Sequence, residues 1–120
     1  MHEMGIANSV IDAVRVEARK YPGSRPRKVG VRIGELTAID ASALQFCFEA
    51  LVGETDLELL ELAIEICPRR HRCLNCAADF DIKEYEFHCP QCGESHSECI
   101  SGDELQLAYL EMDEYEPRTA

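Results

Sequence analysis

No stretch of this 120-residue chain approaches the roughly 18 consecutive apolar residues that a membrane-spanning helix needs. The opening MHEMGIANSVIDAVRVEARK lacks the basic start and apolar core of a secretion signal, because charges run all through it. No internal repeat of 20 residues or more is visible, and the two CxxC segments are the only local duplication. There is no glycine loop that could cradle a phosphate and no nucleophile–base arrangement, so the chain reads as a carrier or binding protein rather than an enzyme. Cations are scarce in its second part. Residues 73–120 hold 2 Lys/Arg against 12 Asp/Glu, whereas residues 1–72 are near neutrality with 10 against 11. Such a surface repels phosphate backbones, which speaks against nucleic acid as its partner. These absences leave the expectation of a cytoplasmic protein that works neither on membranes nor on nucleic acids.

What is present suits one small folded body with an appendage. At 46% apolar residues the composition is globular, and the length allows one modest core. Met4, Ala7, Val10, Ile11, Val14, Ala18 and Tyr21 recur at three-and-four spacing and predict a helix over 4–21. The stretch YPGSRPRK reads as a loop, and KVGVRIGEL alternates as a strand. Asp40 stands where an N-cap belongs, ahead of a second helix in ASALQFCFEALV. That helix carries Leu44, Cys47, Phe48 and Leu51 on one face, with Phe46 and Ala50 flanking. LELLELAIEI predicts a second strand and LQLAYLEM a third. The expected fold is α+β: two helices on a small three-stranded mixed sheet, with an inserted zinc-ribbon module. The boundaries are 1–68 plus 103–113 for the α+β domain, 69–102 for the module, and 114–120 for a flexible tail.

Seven cysteines in a reducing compartment point to metal rather than disulfides. Four of them form Cys73-x2-Cys76-x12-Cys89-x2-Cys92. Each CxxC can make a tight knuckle with both sulfurs facing one way, and two knuckles supply the four soft donors of a tetrahedral zinc site. Iron in an S4 site is the chemical alternative, and a dithiol redox pair would need a βαβ setting that neither CxxC has. Four thiolates leave no open position, so the metal is structural. The spacer, with Phe80, Ile82, Tyr85 and Phe87, suits a short hairpin. Cys47 and Cys67 read as core or semi-buried thiols, and Cys99 as a spare thiol. His71, His88 and His96 read as exposed loop residues beside the knuckles.

The first three residues raise a separate question. The amine of Met1, the amide of His2 and the His2 ring Nδ1 can close two adjacent chelate rings. A fourth donor, the Glu3 amide, a carboxylate or water, completes a square-planar set of the kind that suits Ni(II) or Cu(II). Histidine is too large beside the initiator for aminopeptidase to act, so Met1 is expected to stay. A near-terminal histidine of no function is the plainer reading of MHE taken alone.

The whole pattern resembles the HypA/HybF family of nickel metallochaperones for [NiFe]-hydrogenase maturation. The resemblance rests on MHEMGIANSVIDAV, on VRIGELTAID followed by ALQFCFEAL, on the Cys73/Cys76/Cys89/Cys92 ribbon and on the SGDEL-strand ending. It covers about residues 1–113. It implies Ni(II) as labile cargo held by Met1, His2 and Glu3, and structural Zn(II) held by the four cysteines. It also implies partners: a hydrogenase-maturation GTPase, the [NiFe]-hydrogenase large-subunit precursor and, in some organisms, the urease machinery. A carboxylate at Asp40 is placed to approach the nickel, although its capping role is the reading adopted here. The chain is expected as a monomer or homodimer. The competing reading is a zinc-ribbon interaction or transcription-related module without nickel, favoured only by the basic cluster Arg15, Arg19, Lys20, Arg25, Arg27, Lys28 and Arg32.

Overall fold

The computed structural model describes residues 3–114. Its elements run α1 (Glu3–Ala18), β1 (Ser24–Gly34), a 3-10 turn (Glu35–Thr37), α2 (Ala41–Val52), β2 (Glu61–Cys67), β3 (Arg70–Cys73), β4 (Asp79–Asp81), β5 (Ser97–Ser101) and β6 (Leu105–Glu114). Two three-stranded sheets result, ordered β2-β1-β6 and β4-β3-β5. The two helices, the first sheet and the strands inserted between β2 and β6 follow the expected α+β plan. The second sheet was not foreseen. Among the described residues no helix is long and apolar enough to cross a membrane.

The chain forms two compact units. One comprises residues up to Val31, Ile39–Glu65 and the chain from Gln106 on; the other comprises Arg32–Ala38 and Ile66–Leu105. In the first, α1 packs on α2. Ile6, Ala7 and Val14 of α1, Leu44, Phe48 and Val52 of α2, and Val29 and Val31 of β1 are buried. Burying each larger side chain contributes about 1.5–3 kcal/mol, which makes this set the main support of the unit. Asp40 caps α2 as expected, its Oδ1 accepting from the Ala43 amide at 3.1 Å. Phe46 departs from expectation. It points away from the core and is 72% exposed, because Leu44 and Phe48 occupy the buried stripe and the ring lies off it.

The stretch read as a loop after α1 is largely strand. α1 stops at Ala18, and β1 begins at Ser24 and runs straight through Pro26. The alternation of half-buried and exposed positions from Ser24 to Lys28 shows the strand pleat continuing through the proline. Gly30 lies on the opposite face from Val29 and Val31, where the Tyr109 ring of β6 covers it so closely that a Cβ would collide with the ring. β6 extends through Glu114, one residue into the segment read as tail, and residues 115–120 lie outside the described residues.

Candidate metal centre

β3 reads Arg-His-Arg-Cys with the burial pattern of alternate residues, and this pleat aims Cys73 inward while Arg70 and Arg72 face out. β4 pairs antiparallel with β3, placing Asp81 opposite Arg70 and Asp79 opposite Arg72. Both pairs close as ion pairs at 2.8 Å. The cross-strand pairing fixes the register from which the first knuckle turns.

Two similar turns shape the knuckles. After Cys73 the chain folds back so that the Ala77 amide donates to the Cys73 carbonyl at 3.0 Å; after Cys89 the Gly93 amide donates to the Cys89 carbonyl at 2.9 Å. Ala77 and Gly93 adopt positive φ, 64° and 77°. Backbone amides aim at the first sulfur of each pair: Asn75 and Cys76 donate to Cys73 Sγ at 3.3 and 3.5 Å, and Gln91 donates to Cys89 Sγ at 3.4 Å. The Asn75 side chain adds a bond to Cys92 Sγ at 3.6 Å.

The four sulfurs of Cys73, Cys76, Cys89 and Cys92 come within 4.8 Å of one another. Cys73 and Cys92 are 3.5 Å apart and Cys76 and Cys89 3.6 Å. Metal–sulfur bonds of about 2.3 Å in a tetrahedron require sulfur–sulfur edges of roughly 3.8 Å, so the cluster fits a tetrahedral ion. Its electrostatics point the same way. The Ala78 amide pulls the Cys76 thiol down, but the sulfurs of Cys89, Cys92 and Cys73 together with burial push it up to about 12. The Asn75 side chain, helped by the Glu94 amide, lowers Cys92 to about 6. The free quartet therefore cannot ionise as a set near neutrality, and a cation resolves that conflict.

The surroundings correct one expectation and meet others. His71 is not an exposed loop residue but a strand residue, buried at 6% exposure. The Arg69 guanidinium donates to its Nε2 at 3.1 Å, which leaves the ring proton on Nδ1, 2.8 Å from Ser97 Oγ. Phe80 and Phe87 flank the ring at 6.3 and 6.1 Å between centroids. Burial, then the charge of Arg69, lowers its pKa and keeps it neutral. His88 and His96 are exposed as expected, and His96 pairs with Glu94 at 2.9 Å. Cys47 and Cys67 are half-buried, and Cys99 is exposed on β5 outside the quartet.

Met1 and His2, the first two residues expected at the nickel site, lie outside the described residues. Glu3, the third, begins α1, and its Oε2 accepts the Asp40 amide at 3.1 Å, joining the start of α1 to the cap of α2. The basic cluster is not a uniform cationic face. Arg15 makes a bidentate bond to Asp56 at 2.9 Å, Lys20 bonds Glu17 at 2.9 Å and Arg27 approaches Asp113 at 3.8 Å.

The motifs that carry the resemblance have physical reasons in this geometry. Gly34 of IGEL faces the backbone of Gly102 of SGDEL so closely that a Cβ would overlap the Gly102 carbonyl. The Gly34 amide donates to the Glu104 carbonyl at 2.8 Å, and the Leu36 amide to the Gly102 carbonyl at 2.7 Å. Sequence reasoning missed this pairing, although the two glycines were its visible trace.

Comparison with known proteins agrees over nearly the whole length. The family model described as "Hydrogenase/urease nickel incorporation, metallochaperone, hypA" matches residues 1–112. The hydrogenase maturation factor HypA of Geobacter metallireducens is 37% identical over 113 residues, 94% of this chain and all of that protein. That of Rhodopseudomonas palustris is 36% identical over 118 residues, again 94% of this chain and all of that one. The solution structure of the Ni metallochaperone HypA from Helicobacter pylori superposes with a TM-score of 0.62 at 27% identity, covering 93% of this chain and 97% of that one. Whole-length family agreement and a four-sulfur metal site place this chain in the HypA family of nickel metallochaperones for hydrogenase maturation, a family of carriers and not of enzymes.

Proposed function

We propose that this chain carries Ni(II) at its N-terminus and helps insert it into the [NiFe]-hydrogenase large subunit, while Zn(II) held by Cys73, Cys76, Cys89 and Cys92 stabilises the module of residues 69–102. The observation that carries the reading is the family match over residues 1–112, which takes in both Met1-His2-Glu3 and the cysteine quartet. Nickel is gripped by the Met1 amine, the His2 amide and the His2 Nδ1. Asp40 holds the α2 cap with one oxygen, and the Glu3 carboxylate receives the Asp40 amide. The fourth donor is the Glu3 amide, Asp40 or water.

The two sites differ in the way a carrier requires. Zinc, enclosed by four thiolates, supplies a fixed cross-link and leaves no position for an incoming ligand. Nickel at a chain end can be stripped donor by donor. Protonation of the amine and imidazole favours its release as pH falls. The chain works in the cytoplasm, as monomer or homodimer, and residues 1–68 plus 103–113 form its nickel-binding domain. Energy for insertion comes from the nucleotide cycle of a partner GTPase, and the client is the hydrogenase large-subunit precursor or, where present, the urease machinery.

A nickel titration of untagged, zinc-loaded protein beside a form with one glycine added before Met1 tests the assignment. The added residue leaves the zinc site alone and moves the amine out of the chelate. Nickel binding that weakens clearly on the extended chain supports the site. Equal binding by both forms places the ligands elsewhere. The alternative, a zinc-ribbon interaction module without nickel, becomes the better reading only if neither form binds.

A further inference from the structure

The two knuckles are alike in backbone and unlike in how their sulfurs are protected. Cys73 and Cys89, the first of each pair, are buried, whereas Cys76 and Cys92 are exposed. A reagent arriving from solvent therefore meets Cys76 or Cys92. There the symmetry ends. Asn75 reaches across from the first knuckle and donates its side-chain N–H to Cys92 Sγ at 3.6 Å. Gln91 holds the equivalent place in the second knuckle. Among the described residues it donates only its backbone amide, to Cys89, and returns nothing to Cys76.

In the metal-loaded site all four sulfurs are thiolates, so their relative reactivity follows how far each lone pair is engaged. A donor N–H disperses thiolate charge and holds the side chain in its rotamer, and such outer partners tune metal sites strongly. Cys92 has this additional donor and Cys76 does not.

We propose that the metal module opens at Cys76. Cys76 is the first sulfur to leave the metal when an electrophile or a competing ligand arrives, and Asn75 is the positioning residue that keeps Cys92 bound. The inference rests on the zinc reading above. With iodoacetamide the step is a substitution at carbon. A Cys76 sulfur lone pair forms the S–C bond, iodide departs with the C–I electron pair, and the neutral thioether that results releases the metal.

The test is limited alkylation of the zinc-loaded full chain, with zinc content measured beforehand, modified sites mapped by tandem mass spectrometry, and zinc release followed with a chromophoric chelator. Cys99, exposed and outside the quartet, reports the rate of an unligated thiol. Cys76 is expected to react several-fold faster than Cys92 and in step with zinc release. Asn75→Ala should raise the Cys92 rate to near that of Cys76, with Cys76 unaffected. Asn75→Asp keeps the side-chain shape, removes the donor and should act alike, which secures the test if the alanine form fails to hold zinc. Native Cys92 reacting as fast as Cys76, or a Cys92 rate that neither variant moves, overturns the proposal. A native chain that takes up no zinc overturns the zinc reading instead, so the two failures are told apart.

Discussion

The two units of this chain solve the same problem by different means. In the unit holding α1 and α2, apolar side chains of the two helices, of β1 and of β2 are removed from water, and stability is the sum of many modest terms. The metal module buries little besides Cys73, Cys89, Phe80 and His71, with Ala78 and Ile82 packed beside them. A cluster of that size cannot offset the conformational entropy of ordering some thirty residues. On the zinc reading proposed above, the missing stabilisation comes from one ion and four bonds. One unit therefore weakens gradually as contacts are removed, and the other is present or absent with its metal.

The comparison is broken most directly at Cys89. Cys89→Ser removes one of four donors, and because structural zinc contributes on the order of 10 kcal/mol, β3, β4 and β5 should lose protection from amide exchange. α1 and α2 should keep theirs. A module that stays protected after the substitution would show that its apolar cluster suffices. Phe48→Ala attacks the other unit. A fully buried phenylalanine reduced to alanine costs about 3–5 kcal/mol, read as a fall in Tm, with the zinc-to-protein ratio of the folded form unchanged.

Acidity sharpens the contrast by a smaller step. Cys76, pushed up to about 12, holds its proton throughout the neutral range and must release it to bind metal. Zinc affinity should thus fall about tenfold per pH unit on this account alone as pH drops through neutrality. Cys92, lowered to about 6, is already ionised at pH 7 and begins to compete for protons only below its own pKa, so the fall should steepen there. Competition titrations between pH 5.5 and 8 would show this. A slope that stays constant across pH 6 would contradict the inequality of the two thiols.

How far the chain could be read before its structure tracks the range of the forces involved. The helices were legible because apolar periodicity and an N-cap are local signals, and Asp40 caps α2 as its position implied. The quartet was legible because ligand spacing is nearly a chemical formula. The strand through Pro26 was hidden because proline, a breaker by local rules, sits in a strand that tertiary pairing sustains. His71 was misjudged because neighbouring arginines made RHRC look solvated. The alternation that buries His71 with Cys73 appears only once the segment is recognised as a strand. Asn75 could not be singled out at all, since its bond to Cys92 spans the two knuckles.

The paired glycines carry a consequence for how such a chain can change. The Gly102 backbone lies against Arg69, where an added Cβ would come within 2.8 Å of its Cα, and Ser101 Oγ donates to the Pro68 carbonyl at 2.9 Å. The strand of chain that enters the module and the one that leaves it meet at a single stem. Whatever lies between can lengthen, shorten or be exchanged for another cassette with little change in the entropy of closing the loop. The stem itself cannot vary in this way, because Gly34 and Gly102 admit no side chain.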